Sequence, residues 1–379
     1  MGSGGLYLTL FAGPLEAVPA PKPLIDALTS VEITVSAKER SGFQLGFTLA
    51  NNSPLQTFFL LAGGASIPLL RVVLMVTLGG LPQVILDGVI EHHEIIPDAM
   101  QGSSTLMLTG RDLCSVMDLV DLSGIPYPGM SPDLRVLTML ARYAAFGVVP
   151  NVVPAIAPDI PIPIDKIPSQ KGTDLAYIQQ LATEAGYVFY IDPGPLPGMS
   201  RAYWGPQIKI GLPQPALNVN MDTWTNVESL NFRYQPQTSV MPIVFLQDET
   251  SKLVIPLPIP SVNPLNPPLG AFVPPPQKIE PLNDTAKLSP AQALMLGFAK
   301  ASDTGDVVTG SGSLDVLRYG SILKARELVA VRGAGVAFDG LHYVQSTTHS
   351  IKPGQYKQKF TLTRNALISN LPMVPTLPF

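Results

Sequence analysis

The sequence predicts a β-rich α+β protein with two antiparallel β domains on either side of an α+β middle region. Three observations support this fold class. One hairpin pattern occurs near both ends of the chain, short alternating strands fill both ends, and helical spacing concentrates in the middle. The predicted units are 1–112, 113–224 and 225–370, with a proline-rich insert at 255–281 and an extended tail at 371–379.

The repeated pattern runs from Asp87 to Asp112 and again from Asp339 to Asn365. Each copy opens with Asp-Gly, a pair typical of tight turns, then reaches a His-x-Ile, turns at a glycine-containing segment and returns on an alternating strand. We therefore expect both Asp-Gly pairs in turns, with Gly340 favouring a positive φ. The positions that define the hairpins are Asp87, Gly88, His93 and Gly110 in the first copy, and Asp339, Gly340, Tyr343, His349, Gly354, Tyr356, Phe360 and Arg364 in the second.

Alternation of apolar and polar residues predicts a series of short strands in the first unit. These strands are Leu6–Phe11, Val31–Ala37, Phe43–Thr48, Leu70–Leu78, Val84–Ile90 and Ser104–Thr109. The apolar stretch at 57–80 contains Gly63-Gly64, Pro68 and Arg71. A membrane-spanning helix needs about 20 uninterrupted apolar residues, so a loop followed by a buried strand is the better interpretation.

Helical spacing marks the middle of the chain at Asp112–Val120, Ser131–Gly147 and Asp174–Gly186, and again after Ser289-Pro290. In the second of these helices one face is predicted to be apolar. Its residues are Leu134, Leu137, Leu140, Ala141 and Ala144. The segment Ile255–Pro281 is dense in proline, and this composition predicts an extended surface linker.

The composition narrows the possible functions. Charged residues make up only 14% of the chain, which indicates surface that partners cover. The formal net charge of −4 gives no electrostatic case for nucleic acid binding, and the single cysteine excludes an intramolecular disulfide.

No motif in the sequence argues for catalysis or a cofactor. His92 and His93 are adjacent on a strand and point to opposite faces, so they cannot converge on one metal ion. Glu91, Glu94 and Asp98 could be imagined as hydrolase carboxylates, but charged residues beside a hairpin are usually solvated surface. No Walker A, GxGxxG or GxSxG pattern accompanies them. The sequence therefore predicts a protein that is not an enzyme.

Several stretches resemble baseplate hub proteins of contractile phage tails, the late control protein D family, whose relatives include the hub parts of VgrG-type spikes. The strongest resemblance lies in Tyr319–Ala366; the segments GTDLAYIQQLATEAGYVFYI, AYWGPQIKIG and NVESLNF also agree. Gly88 in LDGVIEHHEI and Gly110 in LTGRD fit the first β domain of that family.

The resemblance implies two tube-protein-like β-barrels in each chain and a homotrimer in which six barrels form a pseudo-six-fold ring. Such a ring would join the hexameric inner tube protein to a trimeric spike that is a separate protein, together with other baseplate components. The chain would assemble in the bacterial cytoplasm and become part of a phage tail or injection particle. No nucleic acid binding and no stable membrane insertion are expected. Within the ring, Met107 and Thr361 on the return strands are the candidate interface positions.

Two alternatives remain open at this point. The apolar composition also suits a membrane-associated or pore-forming β protein. A cell-wall hydrolase carried in the same kind of particle is the other alternative.

Overall fold

The computed structural model describes residues 5–50, 69–98, 103–155, 167–247, 254–264, 266–283 and 288–370. The strands of the first part are β1 Tyr7–Gly13, β2 Val18–Pro19, β3 Leu28–Ser36, β4 Gly42–Ala50, β5 Leu70–Leu78, β6 Leu81–Asp98 and β7 Ser103–Asp112. Those of the middle part are β8 Val148–Val152, β9 Val188–Pro193, β10 Ser200–Gly205 and β11 Gln214–Asn218. The last part contains β12 Ser229–Tyr234, β13 Val240–Gln247, β14 Val254–Pro258, β15 Lys278–Pro281, β16 Val308–Asp315, β17 Leu328–Arg332, β18 Gly340–Lys352 and β19 Gln355–Arg364. The helices are α1 Lys22–Asp26, α2 Cys114–Met117, α3 Pro132–Ala141, α4 Asp174–Ala185, α5 Pro290–Thr304 and α6 Val316–Tyr319.

One thirteen-stranded sheet contains the same strand order twice. Its first half runs β3-β4-β7-β6-β5-β1, and its second half runs β12-β16-β19-β18-β17-β11. Taken in chain order, the six strands of each half match one to one, from β1 with β11 to β7 with β19. The two predicted hairpins, β6–β7 and β18–β19, thus occupy equivalent places. The predicted β-rich α+β fold class, with large antiparallel sheets, is confirmed.

The halves differ in three respects. The first strand, β1, pairs antiparallel with β5, whereas its counterpart β11 pairs parallel with β17. The short strand β2 extends the first half only. Strands β13, β14 and β15 and helix α5 are inserted between β12 and β16 of the second half. The halves nevertheless share one apolar core, in which Phe47 and Leu108 of the first lie in the same cluster as Phe360 and Leu362 of the second.

The middle region packs α3 and α4 against a three-stranded sheet of order β8-β10-β9. Thr173 caps α4 by accepting a hydrogen bond from the Ala176 amide, and Gly186 ends it in the left-handed conformation. The buried residues Leu175, Ile178 and Leu181 lie three to four positions apart, as one helix face requires. The helix agrees with the range Asp174–Gly186 predicted from the sequence.

The face predicted for α3 was wrong at every position except Leu140, which is buried. The helix buries Arg135, Val136, Met139 and Leu140, while Leu134 stays 49% exposed. The cause is Arg135, whose guanidinium donates to the Met130 carbonyl and to the Tyr177 hydroxyl and so turns inward. A charged side chain paired in this way can be buried, and it rotates the apolar stripe by about one residue.

The predicted linker is a small folded insert. Strands β14 and β15 flank β13 in a separate three-stranded sheet, and α5 packs on it around Val244 and Ile259. The prolines lie mainly in the two outer strands and the connection between them, where a missing amide hydrogen costs little. Helix α5 begins as predicted, with Ser289 and Gln292 forming a capping box.

The first Asp-Gly pair does not form a turn. Asp87 and Gly88 lie inside β6, where Gly88 pairs with Val72 on one side and Asp112 on the other. The turn before β6 is instead Gly79-Gly80, both at positive φ. At the second pair the expected positive φ is present, since Gly340 has φ of +115°, but Gly340 is the first residue of β18 and the turn lies just before the pair. Gly354 also has a positive φ, between β18 and β19.

The glycines of the first hairpin make room for an aromatic ring. A Cβ built on Gly88 or Gly110 would overlap a backbone carbonyl, of Arg111 or Val89 respectively, and the ring of Phe43 lies close to both positions. In the second half, Gly310 and Gly312 lie against the rings of Phe232 and Phe360 in a similar way.

Three sequence expectations concern residues outside the described ranges: the loop within 57–68, the turn between β6 and β7, and the tail at 371–379. The strand that follows the first of these is present as β5. Among the helices of the described residues, none is long and apolar enough to cross a membrane.

We predict that Gly110→Ala destabilises the protein by about 1–3 kcal/mol, because a methyl group must displace either the Val89 carbonyl or the Phe43 ring. Gly88→Ala should have a similar effect. The control is Gly211→Ala, where nothing lies within 4 Å of the added carbon. Urea denaturation midpoints measure the difference, and equal midpoints for all three variants would contradict the close-approach argument.

Candidate functional site: the two hairpins and the seam between the halves

The two hairpins share a structural irregularity at the same place. The pairing of β6 with β7 shifts register between Ile90 and His92, and the pairing of β18 with β19 shifts between Val344 and Ser346. Each shift leaves one unpaired residue, Glu91 or Gln345, which is the arrangement of a β-bulge. The bulge supplies a residue-by-residue alignment of the two copies.

This alignment corrects the one read from the sequence motifs. Residues of β18 are 254 positions after their counterparts in β6, since Ile90 corresponds to Val344. Residues of β19 are 252 positions after those of β7, since Gly110 corresponds to Leu362. His93 is therefore the counterpart of Thr347 and not of His349, and the two Asp-Gly pairs do not correspond. Four residues separate Asp98 from Ser103 but two separate Lys352 from Gln355, which accounts for the change of offset.

Asp87 of the first hairpin belongs to a buried ion pair. Its carboxylate accepts two hydrogen bonds of 2.7 Å from Arg71, and both side chains are at most 3% exposed. The Ser200 hydroxyl donates to the same carboxylate at 2.7 Å, and Arg71 donates to the Gly198 carbonyl at 3.0 Å. The pair thus attaches the first half of the large sheet to β10 of the middle region.

The second hairpin carries a buried polar group of its own. His349 Nδ1 lies 2.7 Å from the Tyr356 hydroxyl across the hairpin, and the neighbouring Gln358 bonds both the amide and the carbonyl of Leu323. Burial lowers the pKa of His349 to about 4. The imidazole is consequently neutral at pH 7, so the tyrosine hydroxyl can donate to it.

Arg364 closes the base of the second hairpin. Its guanidinium donates to the carbonyls of Asp339 and Ile368 at 2.9 and 2.8 Å, which holds the turn before β18 against the chain after β19. Burial lowers its pKa to about 10, so it remains charged at pH 7. Tyr343 lies on β18, where its hydroxyl accepts a hydrogen bond from Gln207.

The halves of the large sheet meet where β18 pairs antiparallel with β3, from Ser346 opposite Ser36 to Ile351 opposite Val31. We call this pairing the internal seam. On its outer face the hydroxyls of Thr34 and Thr348 lie 3.1 Å apart. At one end, Arg326 donates to the Ser36 carbonyl and to Asp192, and it stacks over the Tyr190 ring. The seam is therefore held by backbone pairing and by contacts to β9.

The return strands have the expected alternation. Leu106, Leu108, Phe360 and Leu362 are buried in the core. The candidate interface positions Met107 and Thr361 lie on the opposite face and are half-buried. The surface around Thr361 consists mainly of short polar side chains, among them Ser229, Ser311 and Ser313.

The described residues contain no group of three or more His, Cys, Asp or Glu side chains that could hold a metal ion. Glu91, one of the carboxylates considered for a hydrolase, accepts a hydrogen bond of 2.6 Å from Ser115 and lies 3.5 Å from Arg111. Glu94 and His93 are exposed on the same strand. This arrangement of Glu91 is that of a structural contact beside the bulge.

No protein-family profile and no curated protein matches the sequence. Solved structures do match. A tail protein from Neisseria meningitidis is 14% identical with a TM-score of 0.60, over 95% of this chain and 97% of that one. A 43 kDa prophage tail protein from Shewanella oneidensis is 13% identical with a TM-score of 0.57, over 97% and 100%.

An Escherichia coli component of the type VI secretion system, itself described as similar in structure to T4 bacteriophage tail proteins, is 12% identical. Its TM-score is 0.51, over 92% of this chain and 77% of that one. At these identities the likeness shows the fold. The chain has the fold of phage tail proteins and of their type VI secretion counterparts.

We predict that Asp87→Asn lowers the free energy of unfolding by about 3–5 kcal/mol, because it leaves the Arg71 guanidinium buried without a counter-charge. The control is Asp303→Asn, which breaks the exposed pair with Lys38 and should cost at most about 1 kcal/mol. Chemical denaturation at pH 7 compares them. Equal losses would show that burial does not control the strength of the Arg71–Asp87 pair.

The buried histidines predict a loss of stability in acid. Burial lowers the pKa of His349 to about 4 and, together with the Arg364 charge, that of His342 to about 3. The unfolded chain takes up these protons near pH 6.5, so stability is full above that pH and falls as the pH drops towards 4. For His349 alone the loss is on the order of 3 kcal/mol.

The measurement is the denaturation midpoint at pH 7.0, 5.5 and 4.5. His349→Gln should flatten the pH dependence by removing one of the two buried imidazoles. His93→Gln, which replaces an exposed imidazole, should keep the slope of the parent protein. An unchanged slope in His349→Gln would contradict the assignment to His349.

Proposed function

We propose that this chain is a structural hub of a contractile tail or injection system, which joins the hexameric inner tube to a trimeric central spike. The observation that carries the proposal is the strand order that occurs twice in one sheet. One chain presents two like units side by side, so three chains present six. A ring of six like units matches a six-fold tube while its true symmetry remains three-fold.

The two like units are the proposed barrel domains, and their boundaries follow the sheet. The first comprises β1 to β7, close to the predicted 1–112. The second begins at β11, about ten residues before the predicted start at 225, because β11 pairs with β17. The middle region, attached through Asp87 and Ser200, is proposed to lie against the ring as a separate layer. The likeness to tail proteins over nearly the whole chain supports this division.

The proposal assigns no chemical reaction to the chain. Its partners are two further copies of itself, the inner tube protein, a separate spike protein and other baseplate components. The low proportion of charged residues, 14%, supports a role in which neighbours cover much of the surface. Met107 and Thr361, on the outer face of equivalent strands, are the proposed contacts within the ring or with the tube.

The test is assembly. Light scattering should give about three times the 40.4 kDa mass of one chain, and the trimer should co-purify with the tube protein. Met107→Asp combined with Thr361→Asp should leave the chain folded but weaken one of these associations, because an unpaired charge would be buried at an interface. A control places Asp at Leu134 and Thr183, exposed positions on α3 and α4. If the chain is a monomer and does not bind the tube protein, the proposed function is wrong.

A further inference from the structure

Among the strand edges that lack a partner in the described part of the chain, two belong to β6 and β12 of the large sheet. Strand β5 pairs with β6 only as far as Ile90, which leaves the same edge of β6 open from Glu91 to Asp98. Strand β12 is the last strand of the large sheet, so the edge that faces away from β16 is open over Ser229–Tyr234. An open edge presents unpaired amides and carbonyls and is a template for another strand.

The counterparts of these two edges are paired with each other inside the chain. The bulge alignment makes β18 the counterpart of β6, and β18 pairs with β3 in the internal seam. Strand β3 is joined to β7 through β4, and β12 is joined to β19 through β16, in matching registers. Since β19 is the counterpart of β7, β12 is the counterpart of β3. In that alignment Ile33 corresponds to Phe232 and Thr34 to Arg233.

We propose that β6 of one chain pairs antiparallel with β12 of a second copy, in the register of the internal seam. The proposal deepens the trimer of the proposed function and rests on it. Transferring the seam register gives five residue pairs within the two strands. They are His93 opposite Tyr234, Glu94 opposite Arg233, Ile95 opposite Phe232, Ile96 opposite Asn231, and Pro97 opposite Leu230.

The side chains that this register brings together are complementary, although the register follows from backbone pairing alone. Glu94 and Arg233 are both exposed, and among the described residues neither forms an ion pair. They occupy the positions that correspond to Thr348 and Thr34 in the internal seam, where the two hydroxyls lie within hydrogen-bonding distance of each other. Opposite charges directly across an antiparallel pair are stabilising.

The other face of the proposed pairing is apolar. Ile95, which is 38% exposed, lies opposite the half-buried Phe232. Their counterparts in the seam, His349 and Ile33, are at most 5% exposed. A second copy would thus bury Ile95 and Phe232, just as pairing within the chain buries His349 and Ile33.

The contact is heterologous, since β6 and β12 are different surfaces of the same chain. Contacts of this kind generate a ring when the rotation between copies closes, and an open filament when it does not. Each chain supplies one β6 edge and one β12 edge, so a closed trimer has three such contacts and three internal seams. The β6 and β12 edges of every chain are then paired, which removes the aggregation risk that these two exposed edges carry.

The register is tested by cysteine cross-linking in the full-length chain. In Ile95→Cys/Phe232→Cys, mild oxidation should join copies into covalent dimers and trimers that denaturing electrophoresis resolves, because directly opposed Cβ atoms lie within disulfide range. The native Cys114 is buried and stays in place. The control is Ile96→Cys/Phe232→Cys, which is one residue out of register and places the thiols on opposite faces. Cross-linking of the control but not of the first variant would overturn the register.

A charge exchange tests the Glu94–Arg233 pair independently. Glu94→Arg and Arg233→Glu should each weaken the trimer at least about tenfold at low salt, because like charges then face each other. The combined variant should restore it. Light scattering of the parent protein separates the two proposals. A parent that is not trimeric overturns the proposed function, whereas a trimeric parent with no cross-link and no response to charge exchange overturns this pairing alone.

Discussion

Backbone pairing along β18 is the interaction on which the rest of the structure depends. This strand pairs with β17 near its start, with β3 along its second part, and with β19 over most of its length. It is therefore the strand through which the second half of the sheet is joined to the first. The bulge at Gln345 lies where its outer edge passes from β17 to β3, and a bulge bends and twists a strand at such a point.

Charge is used sparingly, and several ionic groups lie at junctions. Arg71 and Asp87 connect the first half to β10, Arg326 connects the internal seam to β9, and Lys209 bonds Asp306 just before β16. Each guanidinium or ammonium is almost fully buried and paired. Such groups add little net stability compared with apolar packing, but an alternative arrangement would leave a charge unpaired. Their effect is to fix how the parts of the chain fit together.

Much of the fold could be predicted from local pattern. The strands before residue 112 agree with the alternation of side chains, apart from the end of β6. Helix α4 begins at the predicted Asp174, and α5 begins at the predicted Ser289 cap. The failures come from residues whose environment is set by distant parts of the chain. The sequence pattern places Asp87 in a turn, but its ion pair with Arg71 holds it inside a strand. A charged residue such as Arg135 is expected to be exposed, but its hydrogen bond to Tyr177 allows it to be buried. Gly88 and Gly110 leave room for the Phe43 ring, a contact that no turn pattern predicts.

The repeat of the hairpins could be inferred as a motif, but its residue alignment could not, because the loops of the two hairpins differ by two residues. The motif matches of Asp87 with Asp339 and of His93 with His349 are each two residues away from the structural alignment, and a shift of two keeps a residue on the same face of a strand. The bulges limit the effect of a length change at a hairpin tip. A residue gained or lost at a tip changes only the loop, since the strand partners on either side of the bulge are fixed by the neighbouring strands. Tip length can thus differ between the two hairpins while the pairing beneath the tips stays the same.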